Sequence, residues 1–213
     1  MANMQAYAEQ VRSGPRGLLS RGDLERISAH IDDALVAAPH LTAWGAQSLV
    51  DVGTGAGLPG LPLAMALPEL HTHLIESLRW KCDFLRDACV ALDLVDRVEV
   101  HQCRAEEAVD KIQRESIDIG VCRALAAPPA ALEYLAPLVR VGGRIVLWTT
   151  RERLDSGKPS SRTTELLGLK SAPEIIPAPS QLRDAGILAC WDRIAPCHTS
   201  IPRRVGLATR KPL

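Results

Sequence analysis

The sequence predicts an α/β fold, with a mostly parallel sheet that carries helices on both faces. Two observations predict it. Short apolar segments of strand length alternate with longer helical segments between residues 48 and 148, as in successive βαβ units. A cluster of glycines directly follows the first apolar segment, as in α/β folds that bind ligands. The composition agrees, because 46% of the 213 residues are hydrophobic and 23% are charged, which suits one globular core.

The N-terminal region is predicted to contain one helix. The first twenty residues are polar, so we expect a loose chain there. Leu24–Ala38 should form an amphipathic helix that Asp23 caps and Pro39 ends, because apolar residues recur at helical spacing. We therefore assign residues 1–45 to an N-terminal helical segment and residues 46–213 to the α/β domain.

Five short apolar segments are predicted to be the parallel strands, and four segments between them to be helices. The strands are Ser48–Val52, Thr72–Ile75, Val98–His101, Ile117–Val121 and Arg144–Trp148. The helices are Pro59–Leu67, Leu78–Leu92, Ala105–Lys111 and Pro129–Val139. Connections of this kind between parallel strands are expected to be right-handed.

The region after the fifth strand has a different character. Residues 151–180 contain four prolines, which predicts a long loop with at most one short helix, Thr164–Leu169. Two later segments, Ile187–Ile194 and Val205–Ala208, are predicted to be closing strands.

Charge is distributed unevenly along a chain whose net charge is zero. Residues 1–139 hold 12 Lys and Arg against 19 Asp and Glu, whereas residues 140–213 hold 13 against 6. A positive C-terminal third is compatible with an anionic partner, and equally with scattered solvated arginines. Only 3% of the residues are aromatic, so any binding of nucleic acid is expected to depend on shape and phosphate contacts rather than on base stacking.

The remaining composition favours an ordinary cytoplasmic protein. No apolar run approaches the roughly 18 residues of a membrane span, and the N-terminus lacks the apolar region of a signal peptide. None of the six cysteines forms a C-x-x-C pair and their spacing matches no zinc pattern. We therefore expect reduced, mostly buried thiols and predict no metal-binding residue.

The strongest local signal is the glycine loop after the first strand, residues 53–60, which contains Gly53, Gly55, Gly57 and Gly60. Glycines let the backbone turn sharply and approach a ligand, and the helix N-terminus behind them offers free N–H groups. The loop fits both the G-x-G-x-x-G pattern of dinucleotide binding and the D-x-G-x-G-x-G pattern of S-adenosylmethionine (AdoMet) methyltransferases. Asp51 favours AdoMet, because a carboxylate suits a cofactor with an ammonium and a sulfonium better than a pyrophosphate. A nicotinamide cofactor and a purely structural turn are the alternatives.

Three further positions follow strands and agree with a cofactor site. Glu76 ends the second strand, where a carboxylate accepts hydrogen bonds from two ribose hydroxyls. The segment Cys103–Glu106 follows the third strand, where backbone groups commonly frame an adenine; a salt bridge at a helix start is the alternative. Arg123 follows the fourth strand, where its planar donor fork could hold a guanine O6 or a phosphate. A structural ion pair is the alternative for Arg123.

Four segments of the chain together resemble the RsmG (GidB) methyltransferases, a family that methylates a guanine N7 in small-subunit (16S) ribosomal RNA. His30 and Asp33 resemble the family's His…Asp pair, whereas Ala29 and Thr149-Thr150 stand where the family usually has Arg and Lys-Gly. The chain thus resembles a divergent member. The four segments are Val50–Ala64 (VDVGTGAGLPGLPLA), Leu74–Leu85 (LIESLRWKCDFL), Arg104–Glu107 (RAEE) and Cys122–Ala124 (CRA).

The resemblance implies a class I, Rossmann-like fold, AdoMet as cofactor, and 16S ribosomal RNA or the small ribosomal subunit as partner of a monomeric enzyme. A small-molecule methyltransferase and a non-catalytic AdoMet-binding protein are the alternatives. Arg123 is the predicted catalytic residue, facing the target base. The predicted cofactor-binding residues are Asp51, Gly53, Thr54, Gly55, Gly57, Leu58, Glu76, Ser77, Ala105, Glu106 and Arg123.

Overall fold

One sheet forms the centre of the molecule. The structure, a computed structural model, describes residues 2–178, 181–182 and 186–213. Within these residues the strands are β1 Ser48–Val52, β2 His71–Glu76, β3 Val98–Gln102, β4 Ile117–Arg123, β5 Val139–Thr150, β6 Glu174–Pro177 and β7 Gly186–Asp192.

The helices flank this sheet. They are α1 Ala2–Ser13, α2 Arg21–Glu25, α3 Ile27–Leu35, α4 Ala38–Ala43, α5 Gly60–Ala66, α6 Arg79–Ala91, α7 Pro128–Leu135, α8 Arg151–Ser156, α9 Ser161–Leu166 and α10 Leu207–Arg210, with a 3-10 helix at Ala105–Asp110. Among the described residues, no helix has both the length and the apolar character needed to cross a membrane.

The strand order confirms the predicted α/β class. The sheet runs β3-β2-β1-β4-β5-β7-β6, and β1 to β5 are mutually parallel. β7 is antiparallel to both of its neighbours. The order reverses between β1 and β4, and ligands of open α/β sheets bind beyond the carboxyl ends of the strands at such a point.

Two apolar layers cover the two faces of the sheet. Leu74 and Val98 pack with the helices α1, α3, α5 and α6 on one face. Ile75 and Val139 pack with α7 and the 3-10 helix on the other face. All six cysteines are free and buried, so the predicted buried thiols are confirmed.

The predicted loose N-terminus is wrong, because residues 2–13 form α1. Tyr7, Ala8 and Val11 are buried against the glycine loop and α3, and the Tyr7 hydroxyl donates a hydrogen bond to the Ala56 carbonyl at 2.8 Å. This narrow apolar stripe lies in a polar helix, so tertiary packing rather than amphipathic pattern stabilises α1.

The single predicted helix Leu24–Ala38 is also wrong in detail. Arg26 leaves the helical region, with φ −103° and ψ 18°, and separates α2 from α3. Ser20 rather than Asp23 is the cap, because its hydroxyl accepts from the Asp23 N–H at 3.2 Å. Pro39 does not end a helix; it lies in the first turn of α4, where its missing N–H costs nothing.

The C-terminal third is more regular than predicted. Residues 151–180 contain α8, α9 and β6, and the hydroxyls of Thr150 and Ser160 cap the two helices. The predicted helix Pro129–Val139 ends at Leu135, and β5 runs from Val139 through the glycine pair. Val205–Ala208 is not a strand, because this segment leads into α10.

Part of the positive charge of this third is structural. Arg193 is buried, donates to the Val139 carbonyl at 3.0 Å and pairs with Glu115. Arg203 holds Glu133 through both carboxylate oxygens, at 2.8 and 2.6 Å. These arginines therefore satisfy buried acceptors and are not available to a partner.

Tyr7→Phe tests the docking of α1. The variant leaves the buried Ala56 carbonyl without its donor, so we expect the free energy of unfolding to fall by about 1–2 kcal/mol. Urea unfolding measures this change. Gln5→Ala, an exposed change on the same helix, is the matched control and should stay within about 0.5 kcal/mol of the wild type. Equal stability of Tyr7→Phe and the wild type would contradict a docked α1.

Candidate active site

A pocket of about 540 Å³ opens at the carboxyl ends of the central strands. The glycine loop, the ends of β2 and β4, the 3-10 helix and the C-terminal segment form its walls. Its lining includes Gly53, Gly55, Glu76, Ser77, Lys81, Arg104, Ala105, Glu106, Arg123, Tyr134, Gly206, Thr209 and Arg210. The pocket therefore lies where the strand order places a ligand site.

The glycine loop needs glycine for two different reasons. Gly53, Gly55 and Gly57 have φ values of +72°, +60° and +100°, which side chains other than glycine rarely adopt. A Cβ on Gly57 would also approach Leu61 to 2.5 Å, whereas a Cβ on Gly55 would meet no protein atom within 4 Å. Because Gly55 lines the pocket, the space beside it is open to a ligand.

Asp51 holds this loop from behind. Its Oδ2 accepts hydrogen bonds from the Thr54 hydroxyl at 2.7 Å and from the Gly60 N–H at 2.9 Å. Gly60 must approach closely, since a Cβ there would lie 2.9 Å from the same oxygen. The carboxylate thereby joins the beginning of the loop to the first turn of α5.

Burial raises the pKa of the Asp51 carboxyl group. The residue is fully buried, and within the described residues its Oδ1 has no hydrogen-bond partner. Burial raises the pKa of the carboxyl to about 6, against the opposing effect of its bonds from Thr54 and Gly60. An unpartnered buried carboxylate oxygen next to a ligand loop favours a cationic ligand there.

Glu76 combines a structural bond with a vacant acceptor. Its Oε1 accepts from the N–H groups of Ser77 and Leu78 at 2.8 and 2.9 Å. In the described part of the chain no donor reaches Oε2, although the residue lines the pocket. One oxygen therefore fixes the turn after β2, and the other is available to a ligand donor.

The C-terminal segment forms a wall that the sequence did not reveal. The Gly206 N–H donates to Glu106 Oε1 at 2.7 Å, and Gly206, Thr209 and Arg210 line the pocket. Glu106 thus holds residues that follow it by one hundred positions. Only the fold brings the two together, since neither segment carries a pattern that indicates the other.

Arg123 lines the pocket and also forms an ion pair. Its Nη1 donates to Asp33 Oδ2 at 3.0 Å and to the His30 carbonyl at 3.3 Å. The Arg123 side chain is 11% exposed and that of Asp33 is 1% exposed, so the pair is well shielded. The structural ion pair left open by the sequence is therefore present, and Arg123 also lines the pocket.

The structure divides the predicted cofactor-binding residues into two groups. Those that line the pocket are Gly53, Gly55, Glu76, Ser77, Ala105, Glu106 and Arg123. Those that lie outside its lining and support the loop are Asp51, Thr54, Gly57 and Leu58. Sequence reasoning did not find Tyr7 or Gly206, and it offered no partner for Arg123, although the spacing of His30 and Asp33 on one helix face was a usable signal.

Asp51→Asn tests the buried charge. Between pH of about 4 and 6 the folded wild type keeps a proton that the unfolded chain has lost, so its free energy of unfolding falls as pH rises through this window. A shift of about two pKa units corresponds to roughly 3 kcal/mol. The stability of the wild type relative to Asp51→Asn should fall by about that amount between pH 4 and pH 7 in urea unfolding.

Asp32→Asn is the matched control, because Asp32 is exposed on α3. The difference in free energy of unfolding between this variant and the wild type should change little with pH. A pH-independent difference for Asp51→Asn would show that Asp51 carries no raised pKa.

Comparisons with known proteins agree with this geometry. A family profile described as GidB, rRNA small subunit methyltransferase G, matches residues 1–172. A ribosomal RNA small subunit methyltransferase G of Acetivibrio thermocellus is 34% identical over 195 residues, which are 90% of this chain and 78% of that protein. The protein of the same name from a Roseiflexus species is 36% identical over 193 residues, covering 88% and 79%.

Solved structures share the fold at lower identity. The S-adenosylmethionine-dependent methyltransferase SibL superposes with a TM-score of 0.61 at 16% identity, covering 91% of this chain and 70% of that one. Geranyl diphosphate C-methyltransferase from Streptomyces coelicolor gives 0.55 at 16% identity, covering 75% and 76%. The fold is thus the class I AdoMet-dependent methyltransferase fold, and with the profile match and the identities above 30%, the chain belongs to the rRNA small subunit methyltransferase G family.

Proposed function

We propose that the protein is an AdoMet-dependent methyltransferase that modifies N7 of a guanine in 16S ribosomal RNA. The observation that carries the proposal is the pocket at the reversal of strand order, built by the family's glycine loop and by Glu76. The relatives are named for methylation of small-subunit ribosomal RNA. Their identity extends over most of both chains, so the same substrate is the simplest expectation for this one.

The chain's own residues fit AdoMet in three places. The open space beside Gly55 admits a group that no side chain obstructs. The vacant Oε2 of Glu76 suits the donors of a ribose. The buried charge of Asp51, behind the loop, favours the positive groups of this cofactor.

AdoMet supplies a methyl group on a sulfonium, which a nucleophile can accept directly. Guanine N7 carries a free lone pair, so the transfer requires no base. The pocket agrees, because its lining contains no histidine among the described residues, and both of its carboxylates already hold backbone N–H groups. The protein therefore acts by positioning the two reactants, which by itself can supply several kcal/mol.

The mouth of the pocket is suited to a polyanion. Lys81, Arg104 and Arg210 line it, and within the described residues none of the three forms an ion pair. In this proposal the three side chains contact phosphates, and Arg123 holds the target base. We also propose that the protein is monomeric and cytoplasmic. Residues 1–45 form its helical segment and residues 46–213 its methyltransferase domain.

The proposed function is tested with labelled AdoMet and small ribosomal subunits from cells that lack the enzyme. We expect label on N7-methylguanine in digests of the RNA, with transfer that slows as salt rises because phosphate contacts are screened. Label on a small molecule only, or binding of AdoMet without transfer to subunits or to naked 16S RNA, would overturn the proposal.

Gly55→Ala tests the cofactor site. The methyl group enters the open space of the pocket, so AdoMet affinity should fall at least about tenfold in calorimetry, about 1.4 kcal/mol. Gly45→Ala is the matched control: Gly45 has φ +66°, and a Cβ there also meets nothing within 4 Å, but it lies outside the pocket lining. Both variants should lose similar stability, and only Gly55→Ala should lose affinity. Equal affinities would rule out a cofactor beside Gly55.

Arg123→Lys separates the two roles of Arg123. Lysine keeps a positive charge for Asp33 but lacks the planar donor fork. We expect AdoMet affinity within a few-fold of the wild type and methyl transfer reduced about 100-fold, the scale of a lost positioning group. Arg104→Lys, at the mouth of the same pocket, is the control and should stay near the wild-type rate.

A wild-type rate for Arg123→Lys would remove the role in holding the base. Joint loss of melting temperature and AdoMet binding would indicate a structural role only.

A further inference from the structure

Two histidines and a glutamate converge on the face of the sheet away from α5 and α6. In the register of β2 and β3, His73 lies opposite Glu99 and Ile75 opposite His101. Because side chains alternate along a strand, all four lie on one face. Ile75 packs with Ala108 of the 3-10 helix, which identifies the face. His101 lies beside Ile75, His73 and Glu99 lie two residues nearer the start of their strands, and none of the three lines the pocket.

The distances among their polar atoms resemble those of a metal's ligands. His73 Nδ1 lies 3.1 Å from His101 Nε2. Glu99 Oε2 lies 3.9 Å from the first nitrogen and 3.7 Å from the second. Ligand atoms about 2.05 Å from a tetrahedral Zn²⁺ are about 3.3 Å apart. The two nitrogens already have this separation, and the oxygen needs to move by about half an ångström.

The glutamate of the cluster is not hydrogen-bonded to either imidazole. The carboxylate oxygen is too far from either nitrogen for a hydrogen bond, so the only bond within the cluster joins the two rings. The side chains of His73 and His101 are 19% and 14% exposed, and the side chain of Glu99 is 67% exposed. A cation can therefore enter from solvent, and the glutamate is free to adjust.

We propose that His73, Glu99 and His101 form a binding site for a divalent cation of the zinc class. The two imidazole nitrogens and one carboxylate oxygen supply three ligands, and water completes a tetrahedral shell. The bound ion links the edge strand β3 to β2. Since β2 continues for three residues to Glu76, about 10 Å along the strand, the site stabilises the sheet close to the pocket without entering it. The proposal does not depend on the proposed methyltransferase activity.

The test uses the full chain without a histidine tag, stripped of metal with a chelator. Calorimetric titration with ZnCl₂ should show one saturable Zn²⁺ site per chain in the micromolar range or tighter. His73→Ala and His101→Ala should each weaken it at least about 100-fold, and Glu99→Gln about tenfold. Zinc should raise the melting temperature of the wild type and of neither histidine variant.

His198→Ala is the matched control, because His198 is exposed and distant in sequence from the cluster; it should keep the wild-type affinity. An unchanged circular dichroism spectrum of each variant shows that it is folded. Absence of saturable binding by the wild type would overturn the site. Wild-type affinity in both histidine variants would also overturn it, because the zinc would then be bound adventitiously elsewhere, for example by thiols.

Discussion

The arrangement of the site depends on one buried carboxylate. Asp51 stands in the central strand β1 without solvent contact, and its bonds to Thr54 and Gly60 hold the glycine loop at both of its ends. Burying this charge lowers the free energy of unfolding. Its hydrogen bonds nevertheless fix the shape of the loop, and no side chain occupies the ligand space beside Gly55. The second carboxylate oxygen has no hydrogen-bond partner among the described residues, and the nearby positive charge of Arg123 lowers the pKa of this carboxyl against the effect of burial. The buried charge is therefore compensated in part within the protein itself.

The N-terminal helices complete the site rather than merely precede it. Tyr7 of α1 binds the loop through the Ala56 carbonyl, and Asp33 of α3 binds Arg123 at the end of β4. The Trp148 indole of β5 donates to the Asp33 carbonyl at 3.0 Å, so α3 is attached to two neighbouring strands. Asp33 through its side chain and His30 through its backbone carbonyl thus hold the Arg123 guanidinium at the end of β4.

The basic residues of the chain fall into two sets that the composition cannot distinguish. Arg193 pairs with the partly buried Glu115 and Arg203 with the buried Glu133, and both pairs attach the C-terminal third to the core. Arg210, from the same third, lies with Lys81 and Arg104 at the mouth of the pocket. The first set is held in ion pairs within the protein, so the number of basic residues overstates how many are free for a partner.

The sequence by itself determined the class of fold and the loop that builds the pocket, because both depend on local signals: apolar periodicity, and glycines that adopt positive φ after a buried strand. It also determined which strand ends carry Glu76 and Arg123. Tertiary structure decided the rest. Four features depend on contacts between segments that are far apart in the chain. They are the helical state of residues 2–13, the partner of Arg123, the attachment of Gly206 to Glu106, and the convergence of His73, Glu99 and His101. Such contacts form only when the strand order places those segments side by side, and no local pattern records that order.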